Sequence, residues 1–238
     1  MYWESYNVAK IRGKYLYRFM SKERLEQFLN SGNLWFSRAD LFGDKMECFR
    51  LSDISGKSFD YDSILSRKKK HLICCFHEGN NESLAMWDTY FRKDKDRRNF
   101  SIRFNRAELV NLIESKNKIR IDIPEDTQSL IHGKVLYRSL VGLAPEKVQT
   151  KTVKHVAFRK EASFSYEREY RFDIRVCSDF AENGHSLTLD NVYTLNFDIL
   201  VNPLLNQPQY KKERKYVKSL GFESKLSDSE LAKWLNKV

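Results

Sequence analysis

Glu167, Glu169 and Arg171 stand two residues apart within SFSYEREYRFDIRV, Ser163 to Val176. Two carboxylates and a guanidinium in one row on a rigid element suit a cation, a sugar or a phosphate. As a strand the stretch divides by a period of two. Tyr166, Tyr170, Phe172, Ile174 and Val176 point one way, interrupted by Arg168, and Glu167, Glu169, Arg171, Asp173 and Arg175 point the other. Alternating charges also make a solvated face of cross-strand ion pairs. The spacing alone leaves both readings open.

Further residues have chemical potential. Asp44 and Glu47 lie three apart in the polar loop RADLFGDKMECF, where they can hold a ligand or cap backbone N–H groups. Trp87 and Tyr90, at i and i+3 of a helical pattern, suit either an aromatic wall or a core. Arg18 follows Tyr17 on an early strand and is a cationic grip or a structural ion-pair partner. The five histidines show no paired ligand spacing, and neither GxGxxG nor GxxxxGK[ST] nor GxSxG occurs.

The elements that must position these groups read as follows. KYLYRF from Lys14 is a strand, Ser21 caps a helix with Leu25, Phe28 and Leu29 inward, Gly32 ends it, and LWFS is a second strand. Residues 1–13 read as a loose or short helical lead-in. HLICCFH, apolar on both faces, reads as a central strand. Asn80 or Asn81 caps the helix ESLAMWDTYFRK. FSIRF, KIRIDIP and GKVLYRS read as strands, AELVNLIESK as a helix, and a helix is placed from Pro145 to about Phe158. Residues 206–238 read as helix, strand and helix, the last with Leu231, Trp234, Leu235 and Val238 inward after the capping box Ser227-Asp228-Ser229-Glu230. The fold class is therefore α+β: one domain over 1–238, with a mixed, largely antiparallel sheet and flanking helices.

With 238 residues and 41% hydrophobic composition, the chain is long enough for a sizeable core. No run of eighteen apolar residues offers a transmembrane helix, and the N-terminus lacks a secretory apolar region. Cys48, Cys74, Cys75 and Cys177 form no CxxC pair and read as small buried residues of a reducing, cytoplasmic protein. A net charge of +10 favours polyanionic partners, though RKKK and KKERK also fit solvated helix faces.

Four blocks of the chain resemble the bacterial domain-of-unknown-function family two-nine-seven-one, which is related to the AbiGi abortive-infection proteins. They are LYRF…LWFSRADLFGDKMEC, ICCFHE…MWDTYF, K…FSYEREYRF and ILVNP…SLGFESKLSDSEL. On the family's patterns these place Asp44 and Glu47, then Trp87 and Tyr90, then Lys160, Glu167, Glu169 and Arg171. The chain departs from the family at Asp96 to Phe100 and at Gly43-Asp44-Lys45, where a family glycine and proline are missing. The resemblance implies a bacterial cytosolic protein encoded near defence genes, with a neighbouring defence protein as a partner.

The strand–helix–strand opening with Tyr17-Arg18 also looks like the first lobe of ADP-ribosyltransferase-type folds. That analogy implies NAD as cofactor, Glu169 or Glu167 as the catalytic carboxylate, and Trp87 and Tyr90 as nicotinamide walls. Arg18 would grip the pyrophosphate, Ser37 would contact the ribose, and the target would be a nucleic acid or protein. The alternative is a nuclease with Asp44, Glu47, Glu167 and Glu169 around Mg²⁺ and Lys160 as an auxiliary cation. A non-catalytic, antitoxin-like binding module is the third reading.

Overall fold

The computed structural model describes residues 2–8, 12–49, 60–93, 97–115, 119–120, 123–139, 155–189 and 191–235. In chain order these form β1 (Trp3–Tyr6), β2 (Tyr15–Met20), α1 (Lys22–Ser31), β3 (Asn33–Arg38), α2 (Tyr61–Lys69) and β4 (His71–Gly79). Then come α3 (Leu84–Lys93), β5 (Phe100–Asn105), α4 (Arg106–Glu114), β6 (Ile119–Arg120), β7 (Thr127–Lys134) and β8 (Leu136–Arg138). The last part holds β9 (Arg159–Glu161), β10 (Glu169–Val176), β11 (Gly184–Leu189), β12 (Phe197–Val201), α5 (Gln207–Ser219) and α6 (Glu230–Trp234). The class is α+β, with a mixed and largely antiparallel sheet.

Two compact units share the chain, where the sequence reads as a single domain. The first comprises Met1–Ile11, Leu34–Cys75 and Ile121–Leu187, and the second Arg12–Asn33, Phe76–Arg120 and Thr188–Val238. In the first unit β1 runs parallel to β7, β10 antiparallel to β7, and β3 antiparallel to the start of β4. The parallel pair β8–β9 stands apart. Ala39, Cys48, Ile73, Ile131, Ala157 and Phe158 form a buried cluster here. In the second unit β2 pairs antiparallel with the end of β4 and with β5, and β5 with β12. Tyr17, Phe19, Met86, Trp87 and Leu200 cluster in its core.

Local signals explain the elements that form as expected. Ser21 Oγ accepts the Arg24 N–H, Gly32 closes α1 at φ 71°, and Leu25, Phe28 and Leu29 are buried at helical spacing. β4 is buried on both faces, as a continuous apolar run requires.

Other expectations are corrected. Residues 3–6 of the lead-in are a strand, not a loose or helical segment. β10 begins only at Glu169, because Ala162–Glu167 is a 3-10 helix and Arg168 turns left-handed at φ 44°. Ser83, not Asn80 or Asn81, caps α3 by accepting the Met86 N–H. The segment Thr127–Lys134, not read as a strand, is β7. FESKL is a 3-10 turn at Glu223–Lys225, with Leu226 alone bridging to Ile199. Trp234 faces solvent at 74% exposure, so the stripe of α6 does not turn it inward. The helix placed from Pro145 lies mostly outside the described residues, and Val156–Phe158 is a 3-10 turn. Cys177 is exposed, unlike Cys48 and Cys74.

Close backbone approach decides one position. Tyr6 pairs with Gly133, and a Cβ at Gly133 would lie 1.8 Å from the Tyr6 carbonyl oxygen. Gly133→Ala is expected to push β1 off β7 and cost on the order of 1–3 kcal/mol. Amide exchange checks this: Trp3–Tyr6 should lose protection while α1 keeps its own.

Candidate functional site

The charged side of β10 is buried, and each carboxylate there meets a basic side chain. Glu169, Arg171 and Asp173 alternate along the strand on one side, and all three are less than a tenth exposed. Burying such groups is costly unless they are paired and hydrogen-bonded. Arg171 meets Glu47 in a two-pronged pair, Nη1 to Oε1 at 2.6 Å and Nη2 to Oε2 at 2.9 Å. Its Nε donates to Glu169 Oε2, and Nη1 also donates to the Ala157 carbonyl. Lys160 Nζ reaches Glu169 Oε1 at 2.7 Å and also donates to Glu167 Oε2. Asp173, further along the strand, accepts from His71 Nδ1 at 2.9 Å.

Separate local devices deliver these partners. Asp44 Oδ1 accepts the Met46 N–H at 2.8 Å, and its carbonyl accepts the Glu47 N–H, a turn that presents Glu47. Lys68 donates to the Lys45 carbonyl at 2.7 Å, and Arg159 donates to that of Phe49. Lys160 comes from β9, which runs parallel to β8. Tyr137 of β8 accepts the Glu169 N–H at 2.7 Å. The left-handed Arg168 breaks the strand period between Glu167 and Glu169, and both carboxyls meet Lys160 Nζ.

The electrostatics separate the two carboxyls. Burial raises the Glu167 carboxyl from 4.5 to about 7; the Glu169 hydrogen bond and charge add to this, and Lys160 opposes it. For Glu169 burial acts in the same direction, but the Arg171 charge, the Glu167 hydrogen bond and the Lys160 charge outweigh it and hold it well below the usual range. Charge counting gives a reason. Glu47, Glu169, Arg171 and Lys160 sum to zero, so ionised Glu167 would leave the network at −1. Burial is opposed by the same carboxylates at Arg171 and Lys160, both held above their ordinary values. Burial likewise pushes the Cys48 and Cys75 thiols up, which makes them apolar core groups rather than nucleophiles.

The structure thus brings together Glu47, Glu167, Glu169 and Arg171. Asp44 shapes the turn, and Ser37 accepts from Trp35 Nε1 at 3.0 Å on β3. Arg18, Trp87 and Tyr90 belong to the second unit. There Arg18 lies over the Phe76 ring, Trp87 is wholly buried with Nε1 on Glu82 at 3.0 Å, and Tyr90 packs on Phe19 under Arg98. Trp87 is a core residue with one polar contact, not a cofactor wall. Lys160 carried a signal, its place before Glu167 and Glu169 in the third block. Tyr137 carried none.

The donor set does not suit Mg²⁺. Both oxygens of Glu47 and of Glu169 are taken by Arg171 and Lys160, which leaves Asp44 Oδ2, buried and without a hydrogen-bond partner, while Asp44 Oδ1 serves its turn. Among the described residues no three His, Cys, Asp or Glu are grouped to hold a metal. Comparison with protein-family models, curated proteins and solved structures found no match.

Two outcomes follow from the network. Arg171→Met leaves the buried Glu47 without its cation and Glu169 with Lys160 alone, and is expected to cost about 3–5 kcal/mol, measured by urea unfolding. Glu167 is protonated more readily folded than unfolded, so its stabilisation is complete below pH 4.5 and lost as pH rises through about 7. Melting temperature relative to Glu167→Gln should therefore fall between pH 5 and 8. A difference independent of pH would contradict this.

Proposed function

We propose that the protein is a cytoplasmic, defence-associated enzyme of the ADP-ribosyltransferase kind, with NAD as the donor and Glu167 as its general base. The observation that supports this is the Glu167–Glu169 pair, two carboxyls on one lysine nitrogen whose environments drive their protonation in opposite directions. Such a divergence marks an acid–base pair. Glu167 lies at the rim of the network, with 14% of its side chain exposed, while Arg171 and Glu47 are closed off. The aromatic residues beside it are Phe164, which lies under Lys160 Nζ at 4.7 Å, and Tyr166, which is 38% exposed. Aromatic rings in the same 3-10 segment as the carboxylate suit a ribose and its base.

In this reading an acceptor O–H gives its proton to the Glu167 carboxylate while its oxygen bonds to C1′ of the nicotinamide-bearing ribose. The N-glycosidic bond breaks, and its electron pair leaves with neutral nicotinamide. Glu169, held by Arg171 and Lys160, positions that lysine against Glu167. The resemblance to family two-nine-seven-one supports the defence setting and a neighbouring defence protein as partner. A binding module is the second reading, favoured by the closure of Arg171 and Glu47.

Nicotinamide release from NAD tests the proposal. Glu167→Gln is expected to lower it by about 10²–10⁴-fold while leaving the melting temperature near neutral pH within a few degrees. In the native protein the rate should fall about tenfold per pH unit below 7, as the base becomes protonated. Full activity in Glu167→Gln overturns the assignment. If saturating NAD gives neither a melting shift nor nicotinamide release, the binding module is the better reading.

A further inference from the structure

The sequence motif KKERK lies within α5, in the second unit. Tyr210 and Val217 bury the inner side of that helix. Its mixed-charge residues are committed: Glu213 accepts from Asn99 Nδ2 at 3.2 Å, and Arg214 pairs with Asp228 at 2.8 Å. Tyr216 donates to Glu26 of α1 and lies under Lys22 Nζ, 3.6 Å from the ring centre. What remains outward is Lys211, Lys212, Lys215 and Lys218, all exposed. Positions 211, 215 and 218 follow one helical stripe, with 212 beside it. Like charges at that spacing repel. Lys218 relieves part of this through an exposed pair with Glu223, a weak and exchangeable contact. Lys211, Lys212 and Lys215 have no anionic partner among the described residues.

A second feature lies at the C-terminal end of the same helix. Phe222 follows Gly221, donates its N–H to the Val217 carbonyl, and is 3% exposed. Tyr193 stacks on it, with ring centres 4.8 Å apart and planes at 13°, yet is 66% exposed. One face of the tyrosine is therefore held by a buried ring and the other is open to solvent. An aromatic ring fixed in this way is a platform for a planar base.

We infer that the outer face of α5 together with Tyr193 is a binding surface for single-stranded nucleic acid. The lysines meet the phosphates, and Tyr193 stacks a base at the end of the track. The 13 residues of α5 extend over about 20 Å, room for a short run of nucleotides. Charge favours the same occupant, since the whole chain carries +10. An anionic lipid surface fits less well. A helix lying on a membrane inserts an apolar face, and the apolar residues of α5 are buried within its own unit.

Fluorescence anisotropy with labelled oligodeoxythymidine tests this without NAD, so its outcome is separate from that of the catalytic proposal. Reversing Lys211, Lys212 and Lys215 together to Glu should weaken binding at least tenfold. It should also flatten the log–log salt dependence by about 2 units, roughly 0.7 for each phosphate that is no longer neutralised. Tyr193→Ala should weaken binding about 5- to 100-fold, because one base no longer stacks, and leave the salt slope unchanged. All four side chains are exposed, and unchanged circular-dichroism melting confirms that the variants are folded. Equal binding by the native protein and the triple variant overturns the inference. So does equal affinity for duplex DNA, or binding to phosphatidylserine vesicles with none to the oligonucleotide.

Discussion

The contact on which the first unit depends is the two-pronged bond between Arg171 and Glu47, both fully shielded from water. Taking two such charges out of water costs several kcal/mol each, which their attraction offsets only with good geometry and further hydrogen bonds. Here the guanidinium also holds Glu169 and the Ala157 carbonyl, so its donors are well used. The gain is in specificity more than in stability. Only one position of the Glu47 loop satisfies the arginine, and only one register of β10 brings the arginine there. The same bond prepares the rim. It helps to keep Glu169 ionised, and ionised Glu169 helps to keep a proton on Glu167.

The second unit applies related chemistry with a different result. Glu82 takes hydrogen bonds from Trp87 Nε1, Ser229 Oγ and the Glu230 N–H, and so ties α6 to α3. Burial raises its carboxyl above the ordinary value, against the opposing hydrogen bonds. Nearby, Arg103 pairs with Asp198, and burial pushes the Tyr17 hydroxyl up to about 12. These are fastening contacts. They leave the lysines of α5 as that helix's outward chemistry.

How much could be read from sequence depends on whether the signal was local. The α1 boundaries were legible because Ser21 and Gly32 act within one turn of their own backbone. β4 was legible because its apolar run is continuous. β7 was missed, since Gln128, Ser129 and His132 break the pattern, and its burial is tertiary: His132 stacks on Phe172 and bonds the Tyr170 hydroxyl. The row of Glu167, Glu169 and Arg171 could be located by spacing, but not its burial. That depends on Glu47, more than a hundred residues away in the chain, and on Lys160. The left-handed turn at Arg168, which ends the alternation, has no sequence signal because arginine seldom adopts it.

Each unit is assembled from three separated stretches of chain, interleaved with those of the other. On a ribosome, therefore, the emerging polypeptide cannot finish one half and then begin the next. β2 can pair with β4 and β5, but β5 must wait for β12, and the opening strand for β7. Pairings over such sequence distances are slow to close and leave apolar strand surface uncovered meanwhile. The interleaved layout thus makes folding a late, concerted event in synthesis, with chaperone protection most needed before the third stretch of each unit has emerged.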